Sequence, residues 1–169
     1  YKNHMNIQNK NIVITGAANG IGYALSKRMS EESPKSISLI DIKSSLKEVA
    51  GSLNADSYIV DVSNEHDFQT VLKDIINKNG SIDLFCSNAG IQQFGTLETS
   101  TLDWQKNWDV NVMSHIYAAK VLIPHMKKQG SGYLLLTVSA AGLLNMPGAI
   151  AYATTTVSYT HLRAHETVV

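Results

Sequence analysis

The sequence predicts an α/β domain in which a doubly wound parallel sheet is covered by helices on both faces. Short β-branched runs alternate with helical patterns, several of these runs are apolar almost throughout, and a glycine-rich turn joins the first run to the first helical pattern. Strands that are apolar on both sides suit a sheet that is buried on both faces, as parallel sheets are. A chain of 169 residues has the length of one domain with its own core.

Each element is predicted from the spacing of its apolar residues. Strands are expected at residues 11–15, 36–41, 57–62, 82–88 and 132–139. Helices are expected at residues 21–32, 44–53, 65–78 and 101–128. In the last of these, three- and four-residue spacing predicts a stripe that faces the core, formed by Trp104, Trp108, Val112, Ile116 and Ala119.

Composition disfavours several classes of partner. Lys plus Arg equals Asp plus Glu at 14 each, so no net charge attracts nucleic acid or an anionic membrane, and we expect neither partner. Cys86 is the only cysteine and lies in an apolar run, which excludes an internal disulfide and predicts a packed thiol. No apolar run approaches the ~20 residues of a membrane span, and the first ten residues are polar. We therefore expect a cytoplasmic protein.

The glycine-rich turn at residues 15–22 is the strongest functional signal. It reads Thr-Gly-Ala-Ala-Asn-Gly-Ile-Gly, after a β-branched run and before an amphipathic helix. Glycines permit a tight turn and the close approach of a ligand, and the free N–H groups at a helix start bind phosphate. Such glycines also serve backbone geometry alone, but the order of strand, turn and helix predicts a bound dinucleotide.

Polar residues that end the next strands are further candidates, because ligands bind at the carboxyl edge of a parallel sheet. Asp41 ends the second strand, where a carboxylate accepts both hydroxyls of an adenosine ribose and repels a 2′-phosphate, which favours NAD over NADP. Lys43 weakens this preference, and a turn-capping role for Asp41 is the alternative. Asp61 and Val62 end the third strand, where the carboxylate suits the adenine amino group or merely the start of a helix.

The later strands supply the remaining candidates. Asn88, Ala89 and Gly90 end the fourth strand, and their small side chains let the backbone pass beside a nicotinamide ribose. Asn111 lies in a helical pattern, where a short amide is a poor helix former and needs a reason. Ser139 and Tyr152 follow the fifth strand, so that a hydroxyl and a phenol can meet one carbonyl oxygen.

These residues together resemble the short-chain dehydrogenase/reductases, in their compact single-domain branch. The similarity runs from about Asn9 to Tyr152 and implies a Rossmann-type doubly wound parallel sheet that binds NAD, with NADP less favoured. Asn19 adds to the preference for NAD, because many NADP-using members carry a basic residue there. The cofactor-binding residues that the resemblance implies are Gly16, Asn19, Gly20, Ile21, Gly22, Asp41, Asp61, Val62, Asn88, Ala89, Gly90 and Tyr152.

The resemblance also implies catalytic roles. Tyr152 would be the general acid and base, Ser139 would hold the carbonyl oxygen, and Asn111 resembles the residue that holds a water in the proton relay. A phenol titrates near ~10 and is a poor base at neutral pH unless a cation stabilises the phenolate. The family supplies that cation as a lysine four residues after the tyrosine, whereas this chain has Thr156, which cannot carry the charge.

Residues 157–167 depart further from the family. They lack the apolar face that the family's next helix presents to a partner subunit, and they match, codon by codon, a translation of a transposase-type sequencing adapter. That adapter begins with the bases CT, so codon 156 consists of one base of the gene followed by CT. Threonine at this codon requires that base to be A, and lysine codons also begin with A. We therefore interpret residues 1–156 as a C-terminally truncated NAD(P)-binding domain, residues 157–169 as a non-native tail, and position 156 of the parent gene as lysine.

Two functional classes follow from these predictions. The parent gene is expected to encode an NAD(P)-dependent oxidoreductase that forms a homodimer or homotetramer and acts on a small secondary alcohol or ketone. The alternative is a non-catalytic dinucleotide-binding module or sensor, and the 169-residue chain itself is expected to be inactive. Residues 91–97 and 140–150 should line the substrate pocket, and their mostly uncharged side chains disfavour a strongly anionic substrate.

No metal site is expected. The one tempting spacing, His161 and His165 followed by Glu166, lies in the tail. His115 follows Asn111 by one helical turn, and a packed or surface role is favoured over a place in the cleft.

Overall fold

A computed structural model describes the backbone of residues 6–144 and 146–165, with side chains described up to residue 158. Within these residues, five parallel strands form one sheet. They are β1 (Asn11–Thr15), β2 (Ser36–Asp41), β3 (Asp56–Ile59), β4 (Leu84–Ser87) and β5 (Tyr133–Leu136). Their spatial order is β3-β2-β1-β4-β5, so the chain winds outward in one direction from β1 and then in the other from β4. The predicted doubly wound parallel sheet is confirmed.

Helices connect the strands. They are α1 (Gly20–Ser30), α2 (Leu46–Ser52), α3 (Glu65–Asn79), α4 (Thr101–Trp108), α5 (Ser114–Gln129) and α6 (Ile150–His165). A π-helix at Asp109–Met113 joins α4 to α5, and a 3₁₀ turn at Ala140–Gly142 precedes α6. None of the helices in the described part of the chain is long and apolar enough to cross a membrane.

Alternate side chains of the central strands enter two separate cores, because successive residues of a strand point to opposite faces. On one face, Val13 and Phe85 pack with Phe68 of α3 and Leu122 of α5. On the other face, β-strand residues including Ile12 and Ile14 pack with α2, and partly buried residues of α1 join them. Cys86 belongs to this second core, and burial raises the pKa of its thiol to about 12. The predicted packed thiol is therefore confirmed.

The predicted helix at residues 101–128 is interrupted by the π-helix, and the predicted core stripe is wrong in part. Trp108 is 40% exposed, while Ala118, Leu122 and Met126 form the buried stripe of α5. A π turn contains one residue more than an α turn, so the side of the helix that faces the core shifts along the sequence. Spacing rules that assume 3.6 residues per turn cannot place both halves of such a helix.

The strand predictions at residues 57–62, 82–88 and 132–139 are longer than β3, β4 and β5. The residues directly beyond the carboxyl ends of β3, β4 and β5 line the cleft described below. β5 also differs in burial, since Tyr133 and Leu135 are 58% and 45% exposed. β5 pairs with β4 alone among the described residues and is an edge strand.

Candidate functional site

The carboxyl ends of the strands open into one cleft of about 620 Å³. The predicted site residues that line it are Gly16, Asn19, Gly20, Ile21, Asp41, Asp61, Val62, Asn88, Ala89, Gly90, Asn111, Ser139, Tyr152 and Thr156. The structure thus brings together residues from widely separated segments of the chain, from the turn after β1 to α6. Gly22 is the predicted residue that does not line the cleft. The functional roles of these residues stay predictions.

The glycine turn is held against the end of β4. Gly16 has φ +67°, and a Cβ on it would lie 2.8 Å from the Ala89 Cα. Gly22 lies in the first turn of α1, where a Cβ would overlap the carbonyl oxygen of Gly16. Gly22 therefore lets α1 pack closely under the turn, while Gly16 and Gly20 shape the surface of the cleft.

Thr15 and Asn88 connect β1 to β4 at the floor of the cleft. The Thr15 hydroxyl oxygen accepts hydrogen bonds from the backbone N–H groups of Asn88 (2.9 Å) and Ala89 (3.0 Å). The Asn88 amide in turn donates to the Thr15 carbonyl at 3.1 Å, and its oxygen accepts from the Thr137 hydroxyl at 2.9 Å. This side chain therefore fixes the glycine turn, β4 and the end of β5 relative to one another.

Asp41 caps the turn after β2 and also lines the cleft. It is 9% exposed, and its two oxygens accept hydrogen bonds from the backbone N–H groups of Ala18 (2.9 Å) and Lys43 (3.0 Å). The bond from Lys43 caps the turn after β2, and the bond from Ala18 aligns the carboxylate with the glycine turn. Since a carboxylate oxygen has two lone pairs, each oxygen retains capacity for a further donor.

Asp61 and Val62 diverge after β3. Val62 is 6% exposed and belongs to the core beneath the cleft. Asp61 is exposed and accepts hydrogen bonds from the backbone N–H and the hydroxyl of Ser63, at 2.9 and 2.7 Å. The N-cap of α3 is Asn64, which accepts from the Asp67 N–H, whereas Asp61 orders the turn that leads into this helix. Both interpretations of Asp61 stay predictions.

Asn111 lies in the π-helix and is fully buried. Its oxygen accepts from the Ile91 N–H at 2.8 Å, and its NH₂ group donates to the Ile91 carbonyl (2.9 Å) and the Thr155 hydroxyl (3.1 Å). Both amide hydrogens are thus used within the protein. The Asn111 side chain joins the loop after β4 to α6, and π turns are frequent at functional sites.

Ser139, Tyr152 and Thr156 line the cleft from the segment after β5 and from α6. The Ser139 hydroxyl oxygen accepts from the Ala141 N–H at 3.2 Å, which caps the 3₁₀ turn. Tyr152 is half-buried in the first turn of α6, and Thr156 follows it by one turn. Thr156 is 4% exposed and its hydroxyl donates to the Ala153 carbonyl at 2.9 Å. The position where the family has a lysine therefore contributes no charge.

Lys106 is the charged residue of the cleft that the sequence did not predict, whereas Lys43 was considered beside Asp41 and Gln92 belongs to a segment predicted to line the substrate pocket. The cationic side chains among its described lining residues are Lys43 and Lys106, and Gln92 adds an amide. Lys106 lies in α4, one turn before Val110, and its place in the cleft depends on how α4 packs rather than on any local motif.

The two loops predicted to line one substrate pocket are divided between two cavities. Ile91 and Gln92 line the cleft, whereas Gly95, Thr96 and Leu97 line a neighbouring cavity of about 570 Å³ together with residues 141–144 and 146–148. Residue 145 of that loop lies outside the described residues. Helix α6 separates the cavities, with Tyr152 and Thr156 facing the cleft and Ala153, Thr154 and Val157 facing the other side.

His115 is packed, as predicted. It is 5% exposed, its Nδ1 shares a hydrogen bond with the Ser87 hydroxyl, and its ring also interacts with the Asn111 backbone. Burial lowers the pKa of this imidazole from its ordinary 6.5 to about 4, so the ring is neutral at neutral pH.

Among the side chains that the structure describes, no group of three or more His, Cys, Asp or Glu residues could hold a metal ion. The side chains of His161, His165 and Glu166 lie outside the described residues.

The chain matches the sequence model of the short chain dehydrogenases over residues 10–165. It is 34% identical over 152 residues to the meso-2,3-butanediol dehydrogenase of Serratia marcescens, which covers 88% of this chain and 60% of that enzyme. A short-chain dehydrogenase/reductase from Burkholderia phymatum, solved in complex with NAD, superposes with a TM-score of 0.89 at 28% identity. That match covers 95% of this chain and 60% of the other.

A second solved structure, an NAD⁺-bound xylitol dehydrogenase, superposes with a TM-score of 0.86 at 26% identity and covers 94% of this chain and 64% of the other. The chain therefore spans about three fifths of the length of these relatives, whose matched shares are 60%, 60% and 64%.

Gly22→Ala should destabilise the fold by roughly 1–3 kcal/mol, because the added methyl must displace the Gly16 carbonyl in a close-packed site. Gly51→Ala is the matched control, since a Cβ at Gly51 in α2 meets nothing within 4 Å and should stabilise the helix by up to about 1 kcal/mol. Urea unfolding of both variants measures the difference. Equal stability of the Gly22→Ala variant and the original chain would contradict the close packing of α1 under the turn.

His115 should make the free energy of unfolding depend on pH below 6.5. The unfolded chain binds a proton near pH 6.5 and the folded chain only near 4, so stability falls as the pH drops through this window, by about 3 kcal/mol in all. His115→Asn should flatten the pH dependence between 4 and 6.5 in urea titrations. His66→Asn, on the exposed face of α3, is the control and should leave that dependence unchanged. If the His115→Asn variant kept the pH dependence of the original chain, His115 would not be its cause.

Proposed function

The chain belongs to the short-chain dehydrogenase family, and on that basis we propose that its cleft binds NAD and that the longer enzyme transfers hydride between NAD and a secondary alcohol or ketone. The observation that carries the proposal is the convergence of the glycine turn, Asp41, Asn111, Ser139 and Tyr152 on one cleft. The NAD-bound state of the two similar structures supports the choice of cofactor.

The residues present fit NAD. A Cβ at Gly20 would meet nothing within 4 Å, so the start of α1 opens on free space at the cleft, where helix N–H groups favour a pyrophosphate. The Asp41 carboxylate, already oriented by Ala18 and Lys43, suits the hydroxyls of the adenosine ribose. Asn88, Ala89 and Gly90 would lie beside the rest of the dinucleotide.

Tyr152 and Ser139 would carry the proton chemistry. Bound NAD supplies an electrophilic nicotinamide carbon that takes or gives a hydride. In alcohol oxidation, the Tyr152 phenolate would accept the proton of the substrate hydroxyl, and the carbon that bears this hydroxyl would lose a hydride to the cofactor and become a carbonyl carbon. The Ser139 hydroxyl would donate a hydrogen bond to that oxygen, and reduction would run through the same steps in reverse.

The phenolate needs a nearby cation, and position 156 supplies none in this chain. We propose that the parent gene encodes lysine at this position and that residues 157–169 are a non-native tail, on the codon argument given above. The 169-residue chain is then a dinucleotide-binding module without effective catalysis. Thr156 is the specific observation that favours this second function for the chain as it stands.

The remaining properties of the longer protein follow from the family and the loops. We propose a small, uncharged substrate, because the loops beside Tyr152 carry mostly apolar or amide side chains. A homo-oligomeric, cytoplasmic enzyme is proposed from the family resemblance and from the composition of the chain.

Asp41→Asn should weaken the binding of NAD to the 169-residue chain by roughly tenfold, because a charged acceptor for two hydroxyls is lost. The same variant should reduce the difference in binding affinity between NAD and NADP, because the negative charge that repels the 2′-phosphate of NADP is gone. Isothermal titration calorimetry with both dinucleotides measures the two effects. Asp74→Asn, exposed on α3 and away from the cleft, should change neither, and a chain that shows no NAD binding at all would refute the proposed cofactor.

Lysine at position 156 should support turnover when the longer gene product is tested with NAD⁺ and 2,3-butanediol, 2-butanol and xylitol as probes. We expect a rate at least about 100-fold above that of the same product with threonine at this position, because the cation is needed to poise Tyr152 as a base. A Tyr152→Phe variant should be equally slow. Long-read sequencing of the gene identifies codon 156, and an in-frame threonine followed by the same tail would refute the proposed parent.

A further inference from the structure

The loop between β4 and α4 is fastened to the helix beside it by two amide side chains, one turn apart. Asn111 holds Ile91, as described above. Asn107, four residues earlier, donates to the Gln93 side-chain oxygen at 3.0 Å and to the Asp103 carbonyl at 2.9 Å. Because residues four apart share one face of a helix, the two asparagines grip successive parts of the loop.

Asn107 has no other evident reason to be polar. It is fully buried, and its side-chain oxygen has no hydrogen-bond partner. A buried unpaired acceptor is unfavourable, so an apolar residue would suit the packing better. The polar contact to Gln93 is therefore the feature that distinguishes this position.

Gln93 is held from a second side as well. Its side chain also hydrogen-bonds the Asp103 carboxylate and lowers the pKa of that group. Asp103 is in turn fixed by Ser100 at the start of α4, with the hydroxyl donating at 2.8 Å. Gln93 is thus clamped onto the first two turns of a capped helix.

The same loop continues into the segment that leads to Tyr152. Two residues after Gln93, the Gly95 N–H donates to the Gly148 carbonyl at 2.7 Å, and the Gly95 carbonyl accepts from the Ile150 N–H at 3.5 Å. Gly95 and Ala149 form a parallel bridge, and a side chain on Gly95 would overlap Thr99. Ile150 begins α6, so the bridge lies immediately before the turn that carries Tyr152.

We infer that Gln93 and Asn107 are positioning residues for Tyr152, acting through the Gly95–Ala149 bridge on the first turn of α6. The inference rests on the proposed function only for the role of Tyr152 as the acid and base. NAD contacts at the glycine turn and Asp41 depend on separate hydrogen bonds from Thr15, Asn88 and Ala18. Gln93 and Asn107 therefore determine the position of the Tyr152 phenol and not the affinity for the dinucleotide.

Hydrogen exchange of individual amides in the 169-residue chain tests the connection. In Asn107→Leu and in Gln93→Leu, the amides of Ile150 and Ala153 should exchange roughly five- to tenfold faster, since loss of one buried hydrogen bond raises local opening by about that factor. The double variant should exchange no faster than the Gln93→Leu variant, because Gln93→Leu already removes the contact between the two side chains. The amides of Ala17 and Tyr23, which bond to Ile40 and Asn19, should not change.

Gln105→Leu is the matched control. It removes an amide contact of the same helix, from Gln105 to the Asp109 carboxylate at 2.8 Å, without touching the loop, and should leave Ile150 and Ala153 unchanged. Leucine is a better helix former than asparagine, so the Asn107→Leu substitution does not itself weaken α4. Gln93 is partly exposed, and its variant keeps the test valid if the Asn107 variant fails to fold.

Kinetics of the longer enzyme with lysine at position 156 give the second readout. Asn107→Leu should lower kcat several-fold and leave the KM for NAD within about twofold. The kcat is calculated from the concentration of NAD-binding sites counted by calorimetry, because a general loss of folded protein would also lower the apparent kcat at unchanged KM. Faster exchange confined to residues 91–95, or spread equally to Ala17 and Tyr23, would overturn the inference. Failure of NAD to bind would instead refute the proposed function and leave the exchange result standing.

Discussion

The hydrogen bonds between Thr15 and the turn after β4 are the constraint on which the rest of the site depends. β1 and β4 are adjacent in space although they are far apart along the chain, and this is where the winding of the sheet changes direction. There, the Thr15 hydroxyl oxygen accepts hydrogen bonds from two backbone N–H groups, which fixes the turn after β1 relative to the turn after β4. The Asn88 side chain adds a further hydrogen bond between the two turns, to the Thr15 carbonyl.

Polar side chains extend this order outward in steps. The Asn88 side chain connects the turns after β1 and β4 to the end of β5, and the Asn111 side chain connects the loop at Ile91 to α6. Each of these amides is short and satisfied mainly by backbone groups, which suits a buried network because unpaired polar atoms in low dielectric are costly. The backbone at the floor of the cleft is therefore held by these amide side chains, and the predicted site residues project from that backbone.

The sequence predicted the central strands better than the edges, for a physical reason. β1 and β2 are buried on both faces, so their apolar runs end where the strands end. At their carboxyl ends, the predicted extensions of β4 and β5 are Asn88 and residues 137–139, which line the cleft. The glycine spacing located the turn, but whether a given glycine faces the ligand or the helix packing, as at Gly22, depends on tertiary contacts that spacing does not contain.

Side chains at strand ends were predictable as candidates because parallel strands deliver their carboxyl ends to one edge. What the sequence could not provide was the division of the two loops between two cavities, which depends on which side of α6 each residue meets. The contribution of Lys106 was equally hidden, since an exposed lysine on a helix has no local mark of function. The hydrogen bond between Asn107 and Gln93 could not be predicted either, because it forms only when the loop after β4 packs against α4.

The π-helix at Asp109–Met113 gives this segment a tolerance of length that an uninterrupted helix lacks. A π turn closes with one residue more than an α turn, so loss of one residue here would leave an α turn and keep the flanking helices facing as they do. In an uninterrupted α-helix the same loss would rotate everything on one side of the deletion by about 100°. Divergence at this point of the chain can therefore proceed by a change of length as well as by exchange of residues.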